Sequence, residues 1–250
     1  MKVRTVTVDF WGTLIVDPPT ADERYEGRRL ASVAAILREQ GLEYSAAQLS
    51  RAYARSGELL RRVWSSGCDV PVVTPVTEIL RALDAGLPER VSAELLAALV
   101  DAYARPILLV PPTVARGAHA ALTHVRDAGI ALAIVSNTMR TPGATLRELL
   151  AKFELLDCFD YFAFSDEIGV RKPRPEIFEA ALRGVGGETA TTVHVGDDPA
   201  LDVGGARRAG LRVIQVVANK SNATRPAERP DGTMTRFEEL PAAIAALEAE

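Results

Sequence analysis

"VTVDFWGTLIV", residues 6–16, decides the fold. Residues 3–8 set valine against arginine and threonine and run into Asp9, the pattern of a strand ending in a carboxylate. A Gly12-Thr13 turn follows, with Trp11 two places after the acid, and Pro18 and Pro19 then break the chain. Such a strand needs neighbours, and the second half of the chain supplies them. "IALAIVS" (130–136), "YFAFS" (161–165), "TTVHVG" (191–196) and "LRVIQVV" (211–217) are short apolar runs. Runs apolar throughout suit strands covered on both faces of a parallel sheet. Amphipathic stretches near 113–128, 145–153, 175–185 and 200–209 lie between them. The alternation predicts βαβ units in a doubly wound, Rossmann-like α/β domain.

Residues between the first strand and the rest read differently. Four helical patterns are predicted: 21–40, with Leu30, Val33, Ala34 and Leu37 at helical spacing and Gly41 as the stop; 46–63 behind Ser45 as N-cap; 75–83 with Thr74 as N-cap; and 93–105 after Ser92 and before Pro106. "SSGCDVPVV" (65–73) reads as a loop. The expected organisation is a core of residues 1–16 and 107–250, with a helical cap, 17–106, inserted into it. The proline-containing stretches 18–19 and 106–112 are the expected hinges between the two. "NKSNATRPAERPDG" (219–232) is an expected exposed loop.

Composition narrows the function classes. The 250 residues are 48% hydrophobic and 25% charged, ordinary for a globular protein. No run approaches the roughly 18 apolar residues of a membrane span. The chain enters its first strand at once, so no secretory leader is expected. Two cysteines, Cys68 and Cys158, are too few for a disulfide framework and fit a reducing cytoplasm. A net charge of -4 offers no strong attraction for nucleic acid or anionic lipid.

Sites in parallel α/β sheets lie outside the carboxyl ends of the strands. Four such ends here carry polar groups: Asp9; Ser136 and Asn137; Lys172 in "GVRKPRP"; and Asp197, Asp198 and Asp202 in "GDDPALD". Each alone has an ordinary alternative. Asp9 or Ser136 could cap the following turn or helix, Lys172 could be a solvated loop residue, and the aspartates could cap a helix starting near Pro199. Their order, each at its own strand end, favours one site. Three close carboxylates also repel one another unless a cation neutralises them.

In these motifs the chain resembles the haloacid dehalogenase-like hydrolase superfamily. The matching residues are Asp9 with "GTL" (12–14), "VSN" (135–137), "RKPRPEIF" (171–178) and "VGDDPALDVGGARRAG" (195–210). The inserted helical cap fits the resemblance as well. It implies Asp9 as nucleophile, forming a covalent aspartyl intermediate. Ser136 is implied to hold a phosphoryl oxygen, with Asn137 and Thr13 beside it, and Lys172 to neutralise the charge. Mg²⁺ is implied on Asp9, the backbone carbonyl of Trp11 and Asp197. Asp202 would orient a metal-bound water or hold Lys172, and Asp198 could serve either purpose. The expected substrate is a small phosphorylated molecule, and the expected state a monomer or homodimer.

Trp11 departs from the pattern. Phosphatases of the superfamily carry there a second aspartate that protonates the leaving group, whereas indole offers only an N–H donor. Losing a general acid costs about 10²–10⁴-fold in rate. Three readings follow. The enzyme could still be a phosphatase, its leaving group needing no proton or its acid coming from elsewhere. The three histidines, His119, His124 and His194, lie outside the cap, which leaves cap carboxylates such as Asp17, Asp22 or Glu23. It could instead be a 2-haloacid dehalogenase-like enzyme, where an aromatic stands at this place; those enzymes lack the acidic fourth motif kept here. Or the fold could bind a ligand or partner without turnover. The intact acidic motif favours phosphoryl chemistry. Trp11 is then also a hydrophobic plug between core and cap. Residues 65–73 and Arg24, Arg28 and Arg29 are the cap's candidates for reaching over the site, although arginines at such places commonly form a solvated helix face.

Overall fold

A computed structural model describes residues 2–18, 21–217 and 228–249. Six parallel strands form the main sheet: β1 (Thr5–Val8), β4 (Ala131–Ser136), β5 (Tyr161–Phe164), β6 (Thr192–Gly196), β7 (Arg212–Val216) and β8 (Gly232–Met234). Their order is β5-β4-β1-β6-β7-β8. Between them run α7 (Ala118–Asp127), α8 (Gly143–Lys152), α9 (Ser165–Ile168), α10 (Pro175–Val185) and α11 (Gly204–Arg208), and α12 (Leu240–Glu248) follows β8. The five expected strands are present, and alternate residues face opposite ways. Leu132 and Ile134 enter the core cluster on one side of the sheet, Ala133 and Val135 the cluster on the other. The chain is thus an α/β protein with a doubly wound sheet.

The stretch 17–112 contains α1 (Ala21–Glu39), α2 (Ala46–Ser65), α3 (Val73–Leu83), α4 (Leu87–Arg90), α5 (Ala93–Ala104) and α6 (Pro106–Leu109), the last reaching beyond the expected end of the cap at 106. It has its own apolar cluster, including Val33, Leu37, Leu49, Leu80, Leu99 and Tyr103. Ala21 and Tyr25, at the start of α1, and Ile107 and Leu108 on α6 pack instead into the sheet's core. Ser45 caps α2 through a reciprocal box with Gln48, and Ser92 accepts from Leu95 N–H at 3.2 Å. Thr74 is not a cap: α3 already begins at Val73, and Val72 stands before it.

Several elements were not foreseen. β2 (Ile15–Val16) and β3 (Thr113–Val114) form an antiparallel ribbon where the chain leaves and re-enters the core. The expected helix 113–128 therefore starts only at Ala118, after β3. The stretch 200–209 divides into a π-helical turn, Pro199–Val203, and α11. β8 starts at Gly232, the last residue of the expected exposed loop, whose residues 219–227 lie outside the described residues; so does Pro19 of the first expected hinge. Among the described residues no helix is long and apolar enough to cross a membrane.

Candidate active site

The strand order reverses between β1 and β6, which opens a crevice at their carboxyl ends. Asp9 follows β1 and is 4% exposed. Its N–H donates to Val195 O at 2.8 Å, so its backbone is still held by the sheet. The chain then doubles back, with Gly12 at φ +75° and its N–H on Ile15 O at 2.8 Å. A Cβ on Gly12 would stand 2.5 Å from Asp197 Oδ2, so glycine both permits the turn and lets Asp197 close upon it.

Lys172 comes from the loop after α9. Its ammonium donates to Asp9 Oδ1 and, at 2.7 Å, to Asp202 Oδ1. Asp202 sits in the π-helical turn. Its Oδ1 also accepts from His194 Nε2 at 3.0 Å, and its Oδ2 from Asp198 N–H at 2.9 Å. A carboxylate only accepts, so His194 carries its proton on Nε2 and takes the Thr7 hydroxyl on Nδ1 at 2.9 Å. Burial lowers the His194 pKa and keeps the ring neutral. Asp198 is the cap of the turn, its Oδ1 accepting from Ala200 and Leu201 N–H at 2.7 and 2.8 Å.

One ammonium faces two buried carboxylates, and they share it unequally. Burial alone would raise Asp202, but Lys172 and then His194 carry it well below the usual carboxylate range. Burial opposes the charge on Lys172, and Asp202 and Asp9 together outweigh it, so its pKa rises. Asp9 is pushed up to about 8 by burial, which Lys172 only partly offsets, with Asp202 adding to the rise. Asp197 is pushed up to about 6 by burial and by Asp202. Asp9, Asp197 and Asp202 each offer an oxygen within 4.8 Å of the others. The cluster is short of positive charge, and its donors are the hard oxygens that Mg²⁺ takes.

Three buried polar atoms here have no hydrogen-bond partner among the described residues: Ser136 Oγ, Thr13 Oγ1 and Trp11 Nε1. Each such atom costs about 1–3 kcal/mol while unsatisfied. Ser136 ends β4, which pairs with β1 through Val8 and Ile134. Trp11 stands edge-on to Phe10, 4.9 Å between ring centres, and packs against the sheet's core. Asn137 is turned from the crevice to Lys172: its Oδ1 accepts from Lys172 N–H at 2.8 Å and its Nδ2 donates to Lys172 O at 3.1 Å.

Above Trp11 lies a cavity of about 280 Å³ between α1, α2 and the loop after β4. Of the three arginines singled out in the sequence, Arg29 lines it and is 4% exposed, whereas Arg24 and Arg28 face solvent. Asp17 and Asp22 line it too, while Glu23 is exposed. The loop 66–72 docks against the segment leading to Lys172. Asp69 N–H donates to Gly169 O and Arg171 N–H to Gly67 O, both at 3.0 Å. The Asp69 carboxylate accepts from Arg171, Ser165 Oγ and Trp64 Nε1. Asp69 belongs to the stretch 65–73 expected to reach over the site, but its own part was not marked, and neither were those of His194, Arg140 and Gln215, whose Nε2 donates to Asp197 O at 3.1 Å. His194 had a signal, since an imidazole inside an apolar strand needs a partner; the other three are ordinary polar residues until the chain is folded.

A family profile for haloacid dehalogenase-like hydrolases matches residues 3–210. The chain is similar to the phosphoserine phosphatase of Thermus thermophilus, 37% identical over 99 residues, 40% of this chain and 39% of that protein. It is also similar to the glyceraldehyde 3-phosphate phosphatase of Methanopyrus kandleri, 32% identical over 139 residues, 55% of this chain and 53% of that one. The match thus spans about two fifths to one half of these curated relatives. A 2-haloacid dehalogenase from Pseudomonas syringae pv. tomato has the same fold, with a TM-score of 0.70 at 22% identity over 98% of this chain and 99% of that one.

Proposed function

The chain belongs to the haloacid dehalogenase-like hydrolase family, and from that premise we propose that it is a Mg²⁺-dependent phosphatase of a small phosphorylated molecule. The observation that carries the reading is the carboxylate cluster of buried Asp9 and Asp202 with half-buried Asp197, neutralised only in part by Lys172. A dehalogenase has no use for that surplus of negative charge beside its nucleophile.

Asp9 is the nucleophile. Its Oδ1 is held by Lys172, and its Oδ2 has no protein hydrogen bond among the described residues. Attack on phosphorus forms the aspartyl phosphate and expels the leaving oxygen; water then hydrolyses the acyl phosphate and restores Asp9. Asp9, Asp197 and the Trp11 carbonyl would hold Mg²⁺, which when bound supplies positive charge to the phosphoryl oxygens. Both oxygens of Asp202 already accept hydrogen bonds, so its role is to hold Lys172. The hydroxyls of Ser136 and Thr13 donate to the phosphoryl oxygens, which supplies the partners they lack. Asn137 positions Lys172 through its backbone.

Trp11 stands at the edge shared by this crevice and the cavity above, and Asp17 takes over the proton. Asp17 lines that cavity, is half-buried, and has its pKa raised by burial, which keeps it closer to a working acid near neutrality. Residues 17–106 act as the cap that closes the site, hinged near Pro18 and 106–112, and the two free cysteines suit a cytoplasmic enzyme.

The test is product release from phosphomonoesters, an acyl phosphate and 2-haloacids, with and without Mg²⁺ and with Asp9→Asn as the blank. Mg²⁺-dependent phosphate release that is lost in the variant is expected. Halide release without Mg²⁺ would replace this reading with the dehalogenase.

A further inference from the structure

Arg29 is a buried cation with no anion beside it. Its Nε donates to Tyr103 O at 2.9 Å, Nη1 to Tyr53 OH at 3.5 Å and Nη2 to Thr141 Oγ1 at 3.2 Å. All three acceptors are neutral. The rings of Tyr103 and Tyr25 lie 5.1 and 6.0 Å from its guanidinium carbon. Among the described residues no carboxylate comes within the 4.0 Å of an ion pair. A buried charge ordinarily has a counter-ion, because desolvation is costly without one.

A second guanidinium faces the same cavity. Arg140 donates to Ser56 Oγ at 3.2 Å and to Tyr103 OH, and lies 4.1 Å from the centre of the Tyr53 ring. It too lacks a carboxylate partner among the described residues. Gly57 makes room for it, since a Cβ there would stand 2.6 Å from Arg140 Nη2. Trp11 also lines this cavity, and its Nε1 is buried without a hydrogen-bond partner among the described residues. Two arginines and an indole ring therefore meet at one cavity, beside the residue two places after the nucleophile.

We propose that this cavity is a subsite for a carboxylate carried by the substrate, received by Arg29 and Arg140 with Trp11 Nε1 as a further donor. The proposal rests on the phosphatase reading and deepens it: the substrate class becomes phosphorylated carboxylic acids. Asp17, Asp22 and Glu26 line the same cavity, which favours a single negative charge over a second phosphate dianion. Arginine's planar fork matches a carboxylate with two N–H groups, and Arg29 has used three of its five. Trp11 then has a reason to replace a carboxylate at its position, where a further negative charge would oppose the incoming one.

The experiment uses probe pairs that differ by the carboxylate: phosphoserine against phosphoethanolamine, 3-phosphoglycerate against glycerol 3-phosphate, and phosphoglycolate against ethyl phosphate. kcat/KM is measured for each with Mg²⁺, and Kd by calorimetry on Asp9→Asn protein. At least one carboxylated member should exceed its partner by about tenfold or more, the worth of one hydrogen bond to a charged group. That ratio should collapse towards one in Arg140→Gln and in Arg29→Gln. Arg29 is buried, so its variant is scored only if its melting curve stays cooperative; Arg140, on the cavity wall, carries the test otherwise. Equal members in every pair, or a preference that survives Arg140→Gln, would overturn the subsite. A Kd preference without any phosphate release would sink the phosphatase reading and leave the subsite standing. Absence of binding by every probe would remove both.

Discussion

Asn137 and Lys172 are joined by two hydrogen bonds, one from the lysine backbone N–H to the Asn137 Oδ1 at 2.8 Å and one from the Asn137 amide to the lysine C=O at 3.1 Å. The residues lie 35 apart in sequence and meet because β4 ends beside the loop that follows α9. The amide thus fixes the peptide unit from which the ammonium reaches Asp9 and Asp202. Asn137→Ala leaves a buried donor and a buried acceptor unpaired. We expect a loss of about 2–4 kcal/mol in urea unfolding, and a fall in kcat larger than the change in KM. Unchanged stability would show that water replaces the amide.

Gly12→Ala tests the approach of the nucleophile loop to Asp197. The substitution strains a left-handed residue, which costs about 1 kcal/mol, and its Cβ would lie 2.5 Å from Asp197 Oδ2. Asp197 must therefore move. Mg²⁺ affinity measured by calorimetry should weaken at least about tenfold, the equivalent of one lost charge-assisted contact.

Mg²⁺ affinity should depend on pH in a stated direction. The cation binds deprotonated carboxylates, and without it Asp9 stands at about 8 and Asp197 at about 6. Above pH 8 no proton has to leave and affinity is flat. Between pH 8 and 6 one proton leaves Asp9, so affinity falls about tenfold per unit of acidification; below 6 a second leaves Asp197 and the fall steepens. Titrations in buffers of different ionisation enthalpy would count the protons. A flat profile from pH 8 to 6 would mean that Lys172 keeps Asp9 ionised unaided.

Asp17→Asn separates the two ways of replacing a missing acid. With an alkyl phosphate, kcat should fall by about 10²–10⁴. With an acyl phosphate, whose leaving group needs little protonation, it should change far less. Equal effects on both substrates would assign Asp17 to the support of Tyr25, whose hydroxyl it accepts at 2.9 Å.

Asp69→Ala removes the partner of a buried guanidinium, since the side chains of Arg171 and Asp69 are 7% and 1% exposed. Ser165 Oγ and Trp64 Nε1 lose their acceptor as well. Breaking one side of such a pair costs about 3–5 kcal/mol. A melting temperature within a degree of the parent would refute the pairing.

The sheet and most of the site were legible in the sequence because their signals are local. Apolar runs such as 130–136 announce strands, and the polar residues Asp9, Ser136 and Asp197 at their ends, with Lys172 in the loop beyond α9, follow once strands are placed. β8 gave no such signal: "GTM" is three residues long, too short for any periodicity. The ribbon of β2 and β3 pairs residues about a hundred apart, which no local pattern encodes. Arg29 stood among three similar arginines on α1, and only tertiary packing separates the buried one from Arg24 and Arg28. Asn137 was grouped with the substrate by its position, whereas its amide is committed to the chain.

The contact of Asp69 with Arg171 also bears on how fast the site could turn over. An apolar seam between cap and core would lose its whole contact free energy on parting. Two ions that separate regain their hydration shells, so the outward path is less steep than the buried geometry suggests. Added salt screens the pair once water enters. If release of product limits the rate, kcat should then rise with ionic strength. Arg171, the residue from which Asp69 would part, is followed directly by Lys172, so in the proposed opening the same parting would loosen the hold on a departing phosphate.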